Sequence, residues 1–200
     1  MKIRIIAIFG ALFAGLTCTH ADIVSNSIAA DSDGVMTCSI YGFQKNGPNE
    51  FQLSIDGIHN VFATGDILGN IYTDTETDPS LTLIHEIDND TGITWTDYHV
   101  KVTMNKTFTF SNVTVANNLW TSVVTAPTLV GSDWIGYVDY YSGDPVPNLG
   151  TLDFSYKMTF IGSASYAEEL TPTSVPEPAT ITFVMCGLVG LFVIQRRKVS

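Results

Sequence analysis

Hydrophobic and polar residues alternate with a period of two along several stretches of this chain. In the clearest of them, Leu152, Phe154, Tyr156, Met158 and Phe160 alternate with polar residues. Successive side chains of an extended strand point to opposite faces, so this pattern predicts a strand with one buried face. Further predicted strands cover 36–43, 51–56, 81–87, 98–104, 107–115 and 133–141. Residues 23–30 fit either a strand or an irregular start.

Turn-forming residues separate these stretches. Lys45-Asn46-Gly47-Pro48-Asn49 lies between the first two and predicts a hairpin. Similar signals follow at 90–92, 131–133 and 143–145, and no long helical period occurs outside the two ends of the chain. The pattern predicts an all-β domain over 22–165, built as an antiparallel β-sandwich or jelly roll. Residues 166–174 are predicted to be a linker.

The N-terminal segment has the order of an export signal. Lys2 and Arg4 precede an apolar run from 5 to 16, and the small residues Thr19 and Ala21 follow. This order predicts a signal peptide over 1–21, removed by signal peptidase after Ala21. Cys18 leaves open a lipoprotein, in which a lipid is attached to a cysteine at the cut.

The C-terminal segment predicts a single transmembrane helix. Residues 179–194 carry no charge, and as a helix they would reach about 24 Å, somewhat less than the hydrocarbon core of a bilayer. Arg196, Arg197 and Lys198 follow at once and are expected to hold the C-terminus in the cytoplasm. The acidic domain would then lie outside, and a simple tail anchor would explain this much.

A short motif before that run indicates more than an anchor. Val175-Pro176-Glu177-Pro178-Ala179, the apolar stretch and the basic end resemble the PEP-CTERM sorting signal of Gram-negative bacteria, over 175–198. The resemblance implies recognition by an exosortase, a membrane-embedded transpeptidase-like enzyme that removes the tail. The protein would then pass to the cell surface or the exopolysaccharide matrix. Glu177 and its flanking prolines would be recognised by that enzyme and would not be catalytic.

The charge and cysteine content of residues 22–174 limit the functions that this segment could have. Residues 22–174 contain four Lys or Arg and nineteen Asp or Glu, a formal net charge of −15. Such a surface repels nucleic acid, whose binding depends on basic residues that neutralise phosphates. Cys38 is the only cysteine in this segment, so no disulfide is expected within it. Its alternation with Met36 and Ile40 predicts a buried packing role.

The most distinctive stretch of the domain runs from His85 to Met104. It is loosely similar to an Asn-x-Thr-Gly…Trp-Thr-x-Tyr-His-Val stretch of PEP-CTERM proteins, which brings no assigned chemistry. In strand register, Trp95, Asp97, His99 and Lys101 would share the outer face. An outward Trp95 beside Asp97 and His99 predicts a candidate carbohydrate site, although packing of the Trp is the commoner outcome. His85 is predicted to be a hydrogen-bonded core histidine.

Two acidic turns are candidate calcium sites. Asp74, Glu76 and Asp78 form the first, and Asp88 and Asp90 the second, with acidic side chains at every second residue. Neither matches an EF-hand loop. No other cofactor is expected.

No constellation typical of an enzyme stands out in the sequence. There is no Gly-x-Ser-x-Gly turn, and Asp97 with His99 would need a nucleophile that the sequence does not locate. We therefore expect a non-enzymatic, exported protein of the cell surface or exopolysaccharide matrix, with a structural or adhesive role. A carbohydrate-binding module centred on Trp95 is the first alternative, and a secreted hydrolase is the second.

Overall fold

The computed structural model describes residues 22–74, 76–116 and 119–174, and this part of the chain is all-β. Strands make up 69% of it and it contains no helix. The twelve strands are β1 Ile23–Asn26, β2 Ala29–Ala30, β3 Met36–Gly47, β4 Glu50–His59, β5 Gly65–Thr73, β6 Ser80–Asn89, β7 Asp97–Met104, β8 Phe108–Val115, β9 Thr121–Val130, β10 Asp133–Tyr141, β11 Thr151–Phe160 and β12 Ala164–Thr173.

The strands form two sheets. The seven-stranded sheet has the order β1-β5-β12-β7-β10-β9, with the short β2 also paired to β5. The five-stranded sheet has the order β3-β4-β6-β11-β8. Within the described residues every strand pair is antiparallel except β4 with β6, which run parallel. Parallel neighbours need a crossover, and here the chain passes through β5 in the other sheet.

The inner faces of the two sheets share one hydrophobic core. Phe154 on β11 contacts Tyr98 on β7 and Tyr140 on β10, with ring centroids 5.6 and 5.0 Å apart. Strict alternation of buried and half-buried residues along β7 and β11 produces this contact, because each strand presents every second side chain to the opposite sheet. Each large apolar side chain buried in this way contributes about 1.5–3 kcal/mol.

The strands predicted from strong alternation are confirmed. β3 and β4 form the predicted hairpin, and its turn places Asn49 in the left-handed region at φ 62°. Asn tolerates that conformation better than most residues. Residues 23–30, for which the sequence left either a strand or an irregular start open, contain the two short strands β1 and β2. Cys38 shares a face with Met36 and Ile40 as predicted, but it is half-buried, not fully buried.

The predicted linker over 166–174 is wrong. Residues 164–173 form β12, which lies inside the seven-stranded sheet between β5 and β7. Pro172 is accommodated because pairing with β5 covers only Ala164–Leu170, whereas pairing with β7 continues to Thr173. At Pro172 the strand therefore has one neighbour, like an edge strand, where a missing N–H is tolerated. The domain extends to the end of β12.

The predicted signal peptide (1–21) and the predicted sorting signal (175–198), with its transmembrane helix over 179–194, lie outside the described residues. A search of the described ranges finds no helix with the length and hydrophobicity needed to cross a membrane.

Candidate functional site

Trp95 does not lie on an outer face. Its side chain is fully buried, and it contacts the rings of His59 and Tyr98 with centroids 5.4 Å away in each case. Trp95 does not share the register of Asp97 and His99, because β7 begins only at Asp97. Trp95 precedes it in a separate antiparallel bridge to Val146. The predicted carbohydrate site centred on Trp95 is therefore wrong.

The loop before Trp95 explains why this stretch is distinctive. The Asn89 side chain is buried and donates to the carbonyl oxygens of Ile93 and Val146, at 2.8 and 3.0 Å. Its Oδ1 accepts from the Thr91 hydroxyl at 2.7 Å, and the Thr91 oxygen accepts from Trp95 Nε1 at 3.2 Å. The next residue, Gly92, has a φ of 77°, which favours glycine. The Asn-x-Thr-Gly…Trp pattern thus builds a loop and caps the core.

Asp97 and His99 face outward from the seven-stranded sheet, as predicted, but each has a partner in it. His99 Nδ1 lies 2.7 Å from Asp139 Oδ1 on β10, and the Thr173 hydroxyl donates to Asp97 at 3.4 Å. On the same face Lys101 donates to Glu169 at 2.5 Å, and this hydrogen bond raises the pKa of Lys101. With Trp95 in the interior, the three predicted sugar-binding residues are not brought together.

A buried carboxylate joins the two sheets at the centre of the core. Glu168 on β12 is fully buried and accepts from Tyr156 at 2.7 Å and from Tyr166 at 2.8 Å. Its Oε2 lies 3.1 Å from His85 Nε2, so His85 is the hydrogen-bonded core histidine that was predicted. Burial alone would raise the pKa of Glu168, but His85 and the three hydrogen bonds together lower it below its usual value. We call Glu168, His85, Tyr156 and Tyr166 the central cluster.

A second buried histidine lies beneath Trp95. His59 Nε2 is 2.9 Å from Tyr98 Oη, and neither side chain is exposed. Burial lowers the pKa of His59 from 6.5 to about 4, so the ring is neutral at ordinary pH. Burial also raises the pKa of Tyr98, which keeps the phenol protonated. We call His59, Tyr98 and Trp95 the end cluster.

The candidate calcium residues do not converge in the described part of the chain, where no group of three or more His, Cys, Asp or Glu side chains is placed to hold a metal ion. Asp74 Oδ1 accepts from the backbone N–H of Asp22 at 2.8 Å. Asp88 Oδ1 accepts from the Thr151 hydroxyl at 2.6 Å. Calcium binding stays a prediction.

Cys38 lies on β3 near the edge of the five-stranded sheet. Burial raises the pKa of its thiol. Because the thiolate is the nucleophile, a raised pKa makes this cysteine less reactive than an ordinary one at neutral pH. The structure thus supports the packing role predicted for it.

The outer face of the five-stranded sheet carries a groove with a volume of about 310 Å³. Six of the residues that line it point outward from four strands: Tyr41, Ile84, Glu86, Thr114, Asp153 and Ser155. Tyr41 is 50% exposed. Among the described residues, the lining includes no Lys or Arg. We call this feature the outer groove.

Strand register determines the chemistry of the outer groove. One row of register partners crosses the whole sheet and consists of Tyr41, Ser54, Ile84, Ser155 and Thr114. In the next row Asp56, Glu86 and Asp153 are neighbours on three adjacent strands. Burial, and then the nearby charge of Asp88, raise the pKa of Asp153. An aromatic and an aliphatic surface therefore lies directly beside hydrogen-bond acceptors.

The outer groove cannot be predicted from the alternation of residues alone. Alternation predicted the strands that carry Glu86 and Asp153 and hence the side on which these residues lie. It could not predict that β6 and β11 are neighbours, because that pairing joins residues more than sixty positions apart. Tyr41 is placed by an irregular part of β3, where the register with β4 shifts between Tyr41 and Gln44.

Comparison of this chain with family models, with curated proteins and with solved structures finds no match.

Proposed function

We propose that this chain is an exported β-sandwich protein that a PEP-CTERM tail sorts to the cell surface or the exopolysaccharide matrix, where it has a structural or adhesive role. The observation that carries the proposal is the position of the fold between the two sequence signals. The first strand begins at Ile23, two residues after the predicted cleavage at Ala21. The last strand ends at Thr173, two residues before the motif begins at Val175. Removal of both signals would leave every described strand intact.

The character of the domain also suits an extracellular setting. The hydrophobic core is shared by two large sheets and needs no disulfide, since Cys38 is the only cysteine between the signals. The surface is strongly acidic, and a net charge far from zero keeps a protein soluble. Two facing sheets with one core are the architecture of a β-sandwich, and a jelly roll is one arrangement of that type.

The sorting tail can be tested through Glu177. We expect the wild-type chain, produced in a Gram-negative bacterium that has an exosortase, to appear in the surface or matrix fraction as a shorter protein. Its intact mass should show loss of the signal peptide and of the tail. Glu177→Ala should accumulate in the membrane fraction with the tail attached, because the recognition motif is altered.

Glu76→Ala is the matched control, since it makes the same change at an exposed position of the folded domain. We expect it to be sorted like the wild type. If the wild type itself kept its tail and remained in the membrane fraction, the tail would be a simple anchor and the sorting proposal would be wrong. Equal sorting of wild type and Glu177→Ala would rule out the assigned role of Glu177.

A further inference from the structure

We infer that the outer groove is a binding site for a polysaccharide of hexopyranose units that are neutral or carry amino groups. The inference rests on the proposed function for its biological setting, since it gives a surface or matrix protein a polymer to hold. It depends on the geometry of the five-stranded sheet, and Trp95 takes no part in it.

The apolar part of the groove matches one face of a pyranose ring. Tyr41 is 50% exposed and Ile84 is 37% exposed, and both lie in the row that crosses the sheet. Exposure of two apolar side chains on one sheet face offers a flat surface for the C–H groups of a sugar. Aromatic rings provide this contact at low cost in conformational entropy, because a tyrosine has only two side-chain torsions to fix.

The local backbone holds Tyr41 in place. Gly42 follows it with a φ of 65°, in the left-handed region, at the point where the β3–β4 register shifts. A Cβ at Gly42 would lie only 3.3 Å from the Ser54 hydroxyl oxygen, so a larger residue would be strained there and would crowd β4. A bulge of this kind redirects side chains at the edge of a sheet.

The polar part of the groove matches sugar hydroxyl groups. Glu86 and Asp153 are directly opposite each other on β6 and β11, and ionised carboxylates accept hydrogen bonds. Beside them the Thr114 and Ser155 hydroxyls are 2.8 Å apart and can both donate and accept. Binding sites that discriminate between ligands combine an apolar surface with a few polar groups in this way.

Charge decides which class of polysaccharide fits. The described residues that line the groove include two carboxylates and no Lys or Arg, and residues 22–174 carry a formal charge of −15. A uronate, sulfate or phosphate group would therefore be repelled, whereas a hydroxyl or an ammonium group would not. A volume of about 310 Å³ is at the small end of the range for ligand pockets, and the groove is open to solvent, as the binding of a few units within a longer chain requires.

The test is binding of the full chain, purified in a detergent without a sugar headgroup, to three kinds of soluble polymer. These are neutral β- and α-glucans, chitosan oligosaccharides and alginate. We expect saturable binding by calorimetry to at least one neutral or amino-bearing polymer and none to alginate. Tyr41→Ala should weaken that binding roughly tenfold, because the stacking surface is lost.

Matched controls separate the groove from the acidic surface in general. Tyr72→Ala removes a tyrosine of similar exposure, 45%, from the other sheet and should leave binding unchanged. Glu86→Gln should weaken binding several-fold, whereas Asp144→Asn, at an exposed position outside the groove, should not. If chitosan were attracted only by net charge, it would bind Tyr41→Ala and Tyr72→Ala equally well. Equal binding by these two variants would overturn the inference.

Two other results would also overturn it: no saturable binding to any of the neutral or amino-bearing polymers, or tighter binding to alginate. Neither result bears on sorting, which the fractionation of Glu177→Ala decides independently. Conversely, a failure of sorting would leave the binding result standing as a property of the five-stranded sheet.

Discussion

The two buried histidines of this domain lie in different chemical environments. His85 in the central cluster is 3.1 Å from the carboxylate of Glu168, which also accepts from two tyrosines. His59 in the end cluster is 2.9 Å from the neutral phenol of Tyr98 and lies against Trp95. Both rings are 0% exposed. Because both rings are equally buried, the two sites differ in the hydrogen-bonding partner of the histidine, which is a carboxylate for His85 and a phenol for His59.

That difference determines how each cluster contributes to stability. The central cluster contains an ionised group, whose solvation has been replaced by hydrogen bonds from both sheets, so losing a partner leaves a buried polar group unpaired. The end cluster contains a histidine ring that resists protonation in the folded protein. Acid protonates this ring in the unfolded chain and therefore destabilises the fold. We therefore expect mutation in the central cluster to lower the free energy of unfolding most. The stability contributed by the end cluster should depend most on pH.

The largest effect is expected at Glu168. Glu168→Ala removes the shared acceptor of His85, Tyr156 and Tyr166 and opens a cavity between the sheets. We expect the free energy of unfolding to fall by about 3–5 kcal/mol, because the change removes a buried, hydrogen-bonded carboxylate, leaves its partners unpaired and creates a cavity. Urea denaturation followed by tryptophan fluorescence would measure it.

Glu76→Ala is the control for this prediction. It removes an exposed glutamate and should change the free energy of unfolding by less than about 0.5 kcal/mol. If Glu168→Ala cost no more than Glu76→Ala, the carboxylate could not be holding the two sheets together.

The next effect concerns pH and the end cluster. Burial lowers the pKa of His59 from 6.5 to about 4, so between these values the unfolded chain binds a proton that the folded chain does not. The stability due to neutral His59 is therefore complete above about pH 6.5 and is lost as the pH falls to about 4. The loss amounts to about 3 kcal/mol. The pKa of Glu168 is also lowered, so its contribution is lost at more acidic pH, below the usual carboxylate value of 4.5.

Unfolding free energies measured from pH 7 to pH 4 would test this separation. His59→Gln should be less stable than the wild type at pH 7 but should lose less stability on acidification. His99→Gln is the matched replacement of a histidine that lies outside the end cluster and has a side chain that is 43% exposed. A wild-type slope in His59→Gln would mean that other groups cause the acid sensitivity.

The central cluster and the end cluster show which parts of the structure could be predicted from the sequence and which could not. Alternation correctly predicted that Tyr98 and Tyr156 face inward, because a half-buried strand has a period of two whatever it pairs with. It misjudged β12, where Glu168 occupies an inward position. A buried glutamate looks like part of a solvated linker until its partner His85, 83 residues away, is known. Only tertiary pairing makes that residue compatible with a core.

Besides β12, the strands β5 and β9 were not predicted, for related reasons. β9 is an edge strand whose residues are mostly exposed on both faces, so its sequence has no period of two. In β5 the inward row of apolar side chains is interrupted at Gly69, where a Cβ would lie 2.6 Å from the backbone of Ile28. The outer groove needed the same missing information, since its row of carboxylates exists only when β4, β6 and β11 are neighbours.

A smaller loss of stability is expected from a change at Trp95. Trp95→Phe keeps an aromatic ring in the end cluster but loses the hydrogen bond from Nε1 to the Thr91 hydroxyl at 3.2 Å. We expect a loss of about 1 kcal/mol in the free energy of unfolding, with polysaccharide binding unchanged because Trp95 is not in the outer groove.

A double-mutant cycle makes this prediction specific to the loop. Thr91→Val combined with Trp95→Phe should cost less than the sum of the two single changes, since both remove the same hydrogen bond. Trp120→Phe is the matched control, because Trp120 is also buried and donates its Nε1–H elsewhere, to the Asp144 carbonyl oxygen at 2.6 Å. It should combine additively with Thr91→Val. Additive behaviour of Trp95→Phe would mean that its hydrogen bond to Thr91 contributes nothing to stability, and a loss of polysaccharide binding in that variant would mean that the binding site depends on Trp95.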